Sequence, residues 1–240
     1  MMVARALSAD FLKMRRKGIW LLVILGSVGL LAMQGLNFGL RYDYLLQRYQ
    51  DDPWAGLIGE IFSFVPISLF LGTTLIASQI ANVEHGSNSW KQLLALPISR
   101  GSVFTAKYLL GIIALAVSCL ILSCGTVVLG LALKFSPDHI PYLTILKLSF
   151  VPFLASLPLF ALELWLSLTF KNQALPITLG ITAAIASLFA GNYPEWFPLA
   201  WPLLSFYGKA SPALPVGGGI ILAFIIYLAG MGQFRGKDVD

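Results

Sequence analysis

Glu163 is the one acidic residue set well inside an apolar run, LPLFALELWLSLTF over residues 157–170. An ionisable group at membrane depth costs a few kcal/mol and faces a partner or a water-filled cavity. Two kinds of chemistry follow. Either Glu163 snorkels toward the interface near Lys171 or pairs with a neighbouring helix, or it contributes to a polar cavity or a proton-sensitive gate. A second chemistry-bearing stretch, EHGSNSWKQLLALPISR over residues 84–100, combines charge with an amphipathic pattern. Trp90, Leu93 and Leu94 share one face at i, i+3 and i+4, residues 86–88 supply a turn and a possible N-cap, and Pro97 stops the helix. That face either rests on lipid or fills a groove on a partner, with Trp90 as aromatic anchor.

Other chemistries lack their residues. A phosphate-cradling P-loop needs glycines followed by Lys and then Ser or Thr. The two Gly-Lys pairs, Gly208-Lys209 and Gly236-Lys237, are followed by Ala210 and Asp238. No His-Glu-x-x-His pair and no Gly-x-Ser-x-Gly elbow occurs, which removes the simplest hydrolase readings. His85 and His139 fall on opposite sides of the membrane in the topology derived below, so they share no metal site. Cys119 and Cys124 are five residues apart on one helix, too far for a disulfide, and read as small buried hydrophobes.

The elements that position these residues are transmembrane helices. Of 240 residues, 58% are hydrophobic and 11% charged, against roughly 25% charged in soluble domains. A bilayer-spanning helix takes about 20 apolar residues, and six such runs fit: 19–38, 61–81, 103–133, 142–170, 174–190 and 215–234. The first is too long for a signal-peptide core and lacks a small-residue cleavage site. The sequence predicts an all-α, polytopic protein forming a single transmembrane domain over residues 1–240. Stretches between spans are too short to hold a soluble domain.

Cytoplasmic loops carry the excess of Lys and Arg. With the N-terminus inside, the inner side holds Arg5, Lys13, Arg15, Arg16, Lys17, Lys91, Arg100, Lys107, Lys171, Arg235 and Lys237. The outer side holds Arg41, Arg48, Lys134, Lys147 and Lys209. Both termini are therefore expected in the cytoplasm. The net charge of +5 is scattered between apolar runs, not gathered into the basic stripe of a nucleic-acid binder.

Three further segments are more than spans. Residues 2–17 place Val3, Leu7, Phe11 and Met14 at helical spacing, giving either an amphipathic helix in the headgroup region or a simple basic anchor. The last outer loop, residues 192–215, alternates five prolines with Tyr193, Trp196, Phe197, Trp201, Phe206 and Tyr207. Prolines forbid one continuous helix, so short broken helices are expected. The aromatics Trp196, Phe197, Trp201 and Tyr207 read as an interfacial belt or as an outer gate. Pro152 and Pro158 are expected to kink the fourth span. Gly35 and Gly39 form a GxxxG pair permitting close helix approach.

The pattern FLKMRRKGIW, Glu84 followed by Trp90, Lys91, LLALP and Ser99-Arg100, then Phe104, Ala106 and Lys107, and the closing QFRGKDV, resembles an ABC-2-type transporter permease. It is most similar to the six-span permeases of lantibiotic-immunity and bacitracin-resistance exporters. The resemblance implies that Glu84, Trp90, Lys91, Leu93, Leu94, Pro97 and Arg100 belong to a coupling helix docked on a cytoplasmic ABC ATPase. It also implies a second permease subunit, identical or related, and export of a hydrophobic or amphipathic compound such as an antimicrobial peptide. The chain itself would bind no cofactor, with ATP and Mg on the ATPase, and would sit multi-pass in a bacterial plasma membrane. Two readings from other classes compete: a membrane-embedded lipid-modifying enzyme, which would need more than one buried acid, and a stand-alone secondary transporter, which would show matched broken helices in its two halves.

Overall fold

The computed structural model describes residues 2–15, 17–86, 99–208 and 213–236. Among them all regular structure is helical. Helix α1 (Met2–Met14) precedes α2 (Ile19–Leu40), and the chain turns between them at Gly18, whose φ of 77° lies in the left-handed region. A side chain is strained there and glycine is not. Two short helices, α3 (Tyr42–Arg48) and α4 (Pro53–Phe62), fill the first outer connection. Asp52 caps α4 by accepting the Ala55 N–H at 3.0 Å, and Pro53 occupies the first turn, where its missing N–H costs nothing.

The longer helices are α5 (Val65–Gly86), α6 (Arg100–Ala132), α7 (Tyr142–Thr169), α8 (Ala174–Ala186) and α10 (Ala213–Gly236), with the short α9 (Trp201–Tyr207) before the last. Among the described residues six helices are long and apolar enough to cross a membrane: α2, α5, α6, α7, α8 with its 3-10 extension to Asn192, and α10. The 33 residues of α6 measure about 50 Å at 1.5 Å per residue, so its ends project beyond a hydrocarbon core of about 30 Å.

The second span differs most from the sequence expectation. It starts at Val65 and not at residue 61, because Pro66 has no N–H to continue the helix from Phe62. It then runs to Gly86, which places Glu84 and His85 inside the helix and not on the connecting segment. Cys124 also departs from expectation, being exposed on α6, whereas Cys119 is buried; both are free thiols. Gly35 approaches Leu129 and Gly39 meets nothing within contact distance of a Cβ, so only half of the GxxxG pair lies at a helix contact.

Helix α7 is central, with 67% of its apolar window buried, while α2 and α10 are peripheral. Leu21, Ile24, Leu25 and Val28 on α2 and Ile221, Phe224 and Ile225 on α10 point outward, as a lipid-facing surface requires. Helix α7 continues through Pro152 and Pro158. Pro158 cannot donate to the Leu154 carbonyl, and α10 meets the chain at that point: a Cβ on Gly219 would lie 3.0 Å from Leu154 O and 3.0 Å from Ala155 Cα. A glycine lets the second helix cover the freed carbonyl at backbone distance.

Candidate functional site

Helix α1 buries Ala6, Asp10 and Met14, four residues apart on one face, against α6. That face carries a charge into the protein. Lys107 Nζ on α6 lies 2.9 Å from Glu84 Oε1 on α5 and 3.5 Å from Asp10 Oδ1, and Lys13 Nζ reaches Glu84 Oε1 at 3.0 Å. The side chains of Lys107 and Glu84 are 0% exposed. Two cations and two anions balance, as buried charges must. Burial pushes the Asp10 carboxyl above the usual carboxylate range, against the opposing pull of Lys107.

This cluster holds the two roots of the segment 87–98. Glu84 sits at the last turn of α5 and Lys107 two turns into α6, so their ion pair ties together the helices between which the segment runs. Arg100, at the start of α6, donates through Nη1 to the Arg235 carbonyl at 3.2 Å, and Thr105 shares a hydrogen bond of 2.6 Å with Tyr227. Trp165 of α7 donates to the Gln233 side chain. The root of α6 is thereby linked to α1, α5 and α10 at one end of the bundle. Trp90, Lys91, Leu93, Leu94 and Pro97 lie outside the described residues.

Ser99 caps α6 at this root, accepting the Ser102 N–H at 3.2 Å. Ser99→Ala is expected to remove about 1 kcal/mol, read as a lower thermal midpoint of the detergent-solubilised protein together with faster amide exchange over residues 100–103. Unchanged exchange there would show that the cap is not what holds the first turn.

Glu163 neither snorkels nor pairs. It is 0% exposed, and among the described residues neither carboxyl oxygen has a hydrogen-bond partner. One turn along, Ser167 Oγ is likewise unpartnered, while the Ser167 carbonyl accepts from His85 Nε2 at 3.0 Å and from Gln173 Nε2 at 2.9 Å. His85 thus belongs to a polar contact between α5 and the end of α7. No three His, Cys, Asp or Glu gather as a metal site among the described residues.

At the other end of the bundle the four aromatics singled out in the sequence do not meet as one group. Trp196 is 71% exposed and packs edge-on with Phe197, which also meets Tyr193. Trp201 is buried, donates to the Glu195 carbonyl at 2.9 Å and covers Gly218. Tyr207 packs on Phe62, and with Tyr49, Glu60 and Arg48 it lines a polar recess of about 530 Å³. There Tyr49 donates to Glu60 Oε1 at 2.7 Å, a bond that raises the phenol's pKa.

Asp10, Lys13 and Lys107 are the members of the charge cluster to which the sequence assigns no site role, the lysines entering as inner-side charge and as part of the family pattern. The signals were present: Asp10 is the one acid in a basic N-terminal stretch, and Lys107 follows Val103, Phe104 and Ala106 into an apolar run.

Comparison with curated proteins and with solved structures returned no match. A family model does match: that of the ABC-2 family transporter protein, over residues 6–187. Its extent takes in α1, the charge cluster, both roots of the connecting segment and the first five membrane-crossing helices, and the chain accordingly belongs to the ABC-2 transporter family.

Proposed function

We propose that this membrane component of an ABC transporter is the permease half of an exporter. Its cargo is a hydrophobic or amphipathic compound, such as an antimicrobial peptide, taken from the membrane of a bacterial cell. The whole chain, residues 1–240, acts as one transmembrane domain with both termini in the cytoplasm. A second permease, identical or related, completes the pathway. ATP and Mg are bound by a separate cytoplasmic ATPase, onto which the stretch between Glu84 and Arg100 docks, with buried Glu84 acting as its anchor in the membrane domain. Antimicrobial-peptide resistance of the lantibiotic-immunity or bacitracin type is the physiological role in this reading.

The observation that carries the reading is the Lys107–Glu84–Asp10–Lys13 cluster at the roots of that segment. A push on residues 87–98 can perform work only if both roots move as one body. An ion pair buried between α5 and α6 supplies that rigidity, and Asp10 and Lys13 extend it to α1 and, across the Gly18 turn, to α2. The cargo class is supported by an apolar groove of about 310 Å³ between α2, α5 and α6, lined among others by Leu22, Gly26, Leu69, Gly72 and Leu115. An outer gate at Trp196, Phe197, Trp201 and Tyr207 would act through three separate contacts, the Trp196–Phe197 pair, Trp201 on α10 and Tyr207 on α4.

The test is co-purification. With the cytoplasmic ABC ATPase proposed as its partner co-expressed, Trp90→Asp or Leu93→Asp is expected to abolish its recovery with the tagged permease, leaving membrane insertion and the thermal midpoint unchanged. Recovery equal to that of the unaltered chain would remove residues 84–100 as the docking element.

A further inference from the structure

Helices α5, α7 and α8 close on one another around Glu163. A Cβ built on Gly180 of α8 would overlap the Thr74 hydroxyl of α5 and lie 2.7 Å from Glu163 Oε1. The two oxygens therefore flank the same point, and only a glycine allows the third helix to cover them. The donors available there are spent: the Thr74 hydroxyl already donates to the Phe70 carbonyl at 2.8 Å. An ionised Glu163 would present acceptors to an acceptor. Among the described residues no charged group bonds to it. Helix α8 carries no titratable side chain, α5 offers only Glu84 and His85, and these bond to Lys107 and Lys13 and to the Ser167 carbonyl.

Of the other helices packed on α7, α6 brings Arg100, Lys107, Tyr108, Cys119 and Cys124, α10 brings Tyr227 and Arg235, α9 brings Tyr207 and α4 brings Glu60; α7 itself adds Tyr142 and Lys147. None is hydrogen-bonded to Glu163. Lys171, beyond the end of α7, is exposed. A carboxylate buried without a partner costs several kcal/mol and neutralises instead. A carboxylic acid carries no charge to be balanced, so the neutral form is the one this packing admits.

We infer that Glu163, Thr74 and Gly180 form a proton-binding site inside the membrane domain, occupied when α8 is packed against α5 and α7. Uptake is a simple transfer: hydronium gives its proton to a Glu163 oxygen and leaves as water, with nothing oxidised or reduced. The access side is marked by the other unpartnered buried oxygens, Ser167 Oγ one turn below Glu163 and Gln173 Oε1 at the turn into α8. Loss of the proton leaves a charge beneath Gly180 that needs water, so proton release and separation of α8 are the same event. This site does not depend on the ATPase reading above, since it involves this chain alone.

The test is infrared difference spectroscopy on the full chain in lipid nanodiscs. At neutral pH the wild-type protein is expected to show a carbonyl-stretch band of a protonated carboxyl that is completely absent from Glu163→Gln and shifted in Glu163→Asp. Glu163→Gln keeps the shape of the neutral acid and is expected to retain the wild-type thermal midpoint. Identical wild-type and Glu163→Gln spectra would overturn the site. So would a band that weakens as sodium is added at fixed pH, which would make it a metal-cation site. Should Glu163→Gln not fold, an unshifted band in Glu163→Asp is the overturning result.

Discussion

Lys107→Ala is expected to lower the stability of the charge cluster by about 3–5 kcal/mol, the scale for removing one member of a buried ion pair. The change takes from fully buried Glu84 its buried cation, leaving it the half-exposed Lys13, and removes from Asp10 the Lys107 ammonium. Helix α1 should detach from α6. A cysteine pair placed across that contact would then cross-link more slowly, and the thermal midpoint in detergent would fall. Removing both central charges, in Lys107→Met with Glu84→Gln, is expected to recover most of the loss, because Asp10 and Lys13 still balance each other. Asp10→Asn should be tolerated far better. Its raised pKa means the folded protein binds that proton more tightly than the unfolded chain, so the stability Asp10 contributes is complete at low pH and is lost as pH rises through its raised value. A Lys107→Ala protein melting like the wild type would mean that water reaches the cluster.

Gly111→Val is the second large effect. A Cβ at this position would overlap the Phe160 ring, with Cε2 at 2.7 Å. Phe160 cannot give way, being fully buried and stacked on Tyr108 at 5.4 Å between ring centroids. Overpacking of this kind costs about 1–3 kcal/mol, and a branched side chain against an immobile ring belongs at the upper end. Phe160→Leu in the same chain should relieve the overlap, so the double variant is expected to melt above Gly111→Val alone. Additive losses in that cycle would show that α6 and α7 do not touch here.

The spans were legible because apolar runs of about 20 residues are decided by solvent alone. Their ends were less so. Pro66 moved the start of the second span by removing one donor, and Glu84 was drawn into α5 by a lysine far along the chain. No periodicity reveals that pairing, since it is a property of two helix faces meeting. The prolines of residues 192–215 did announce broken helices, and short ones occur at 198–200 and 201–207. Which aromatic meets which was invisible, because Tyr193, Trp196 and Phe197 meet within the connection itself whereas Trp201 covers α10 and Tyr207 packs on α4. Glu163 stood out in the sequence; its lack of a hydrogen-bond partner among the described residues did not, because that depends on Thr74 and Gly180 arriving beside it.

The contact of α7 with α10 carries a mechanical consequence. Where Pro158 frees the Leu154 carbonyl, the facing residue of α10 is Gly219, and further along Gly230 sits against the side chains of Trp165 and Phe104. Helices that interlock through side-chain ridges resist translation, because each ridge must climb out of its groove. Gly219 on bare backbone presents no ridge, but Gly230 takes the Trp165 and Phe104 side chains as a groove takes a ridge. The pair is therefore built as a clamp: Gly219 sets how closely α10 can approach α7, while Gly230 and the Arg235 carbonyl moor its far end to α7 and to the root of α6.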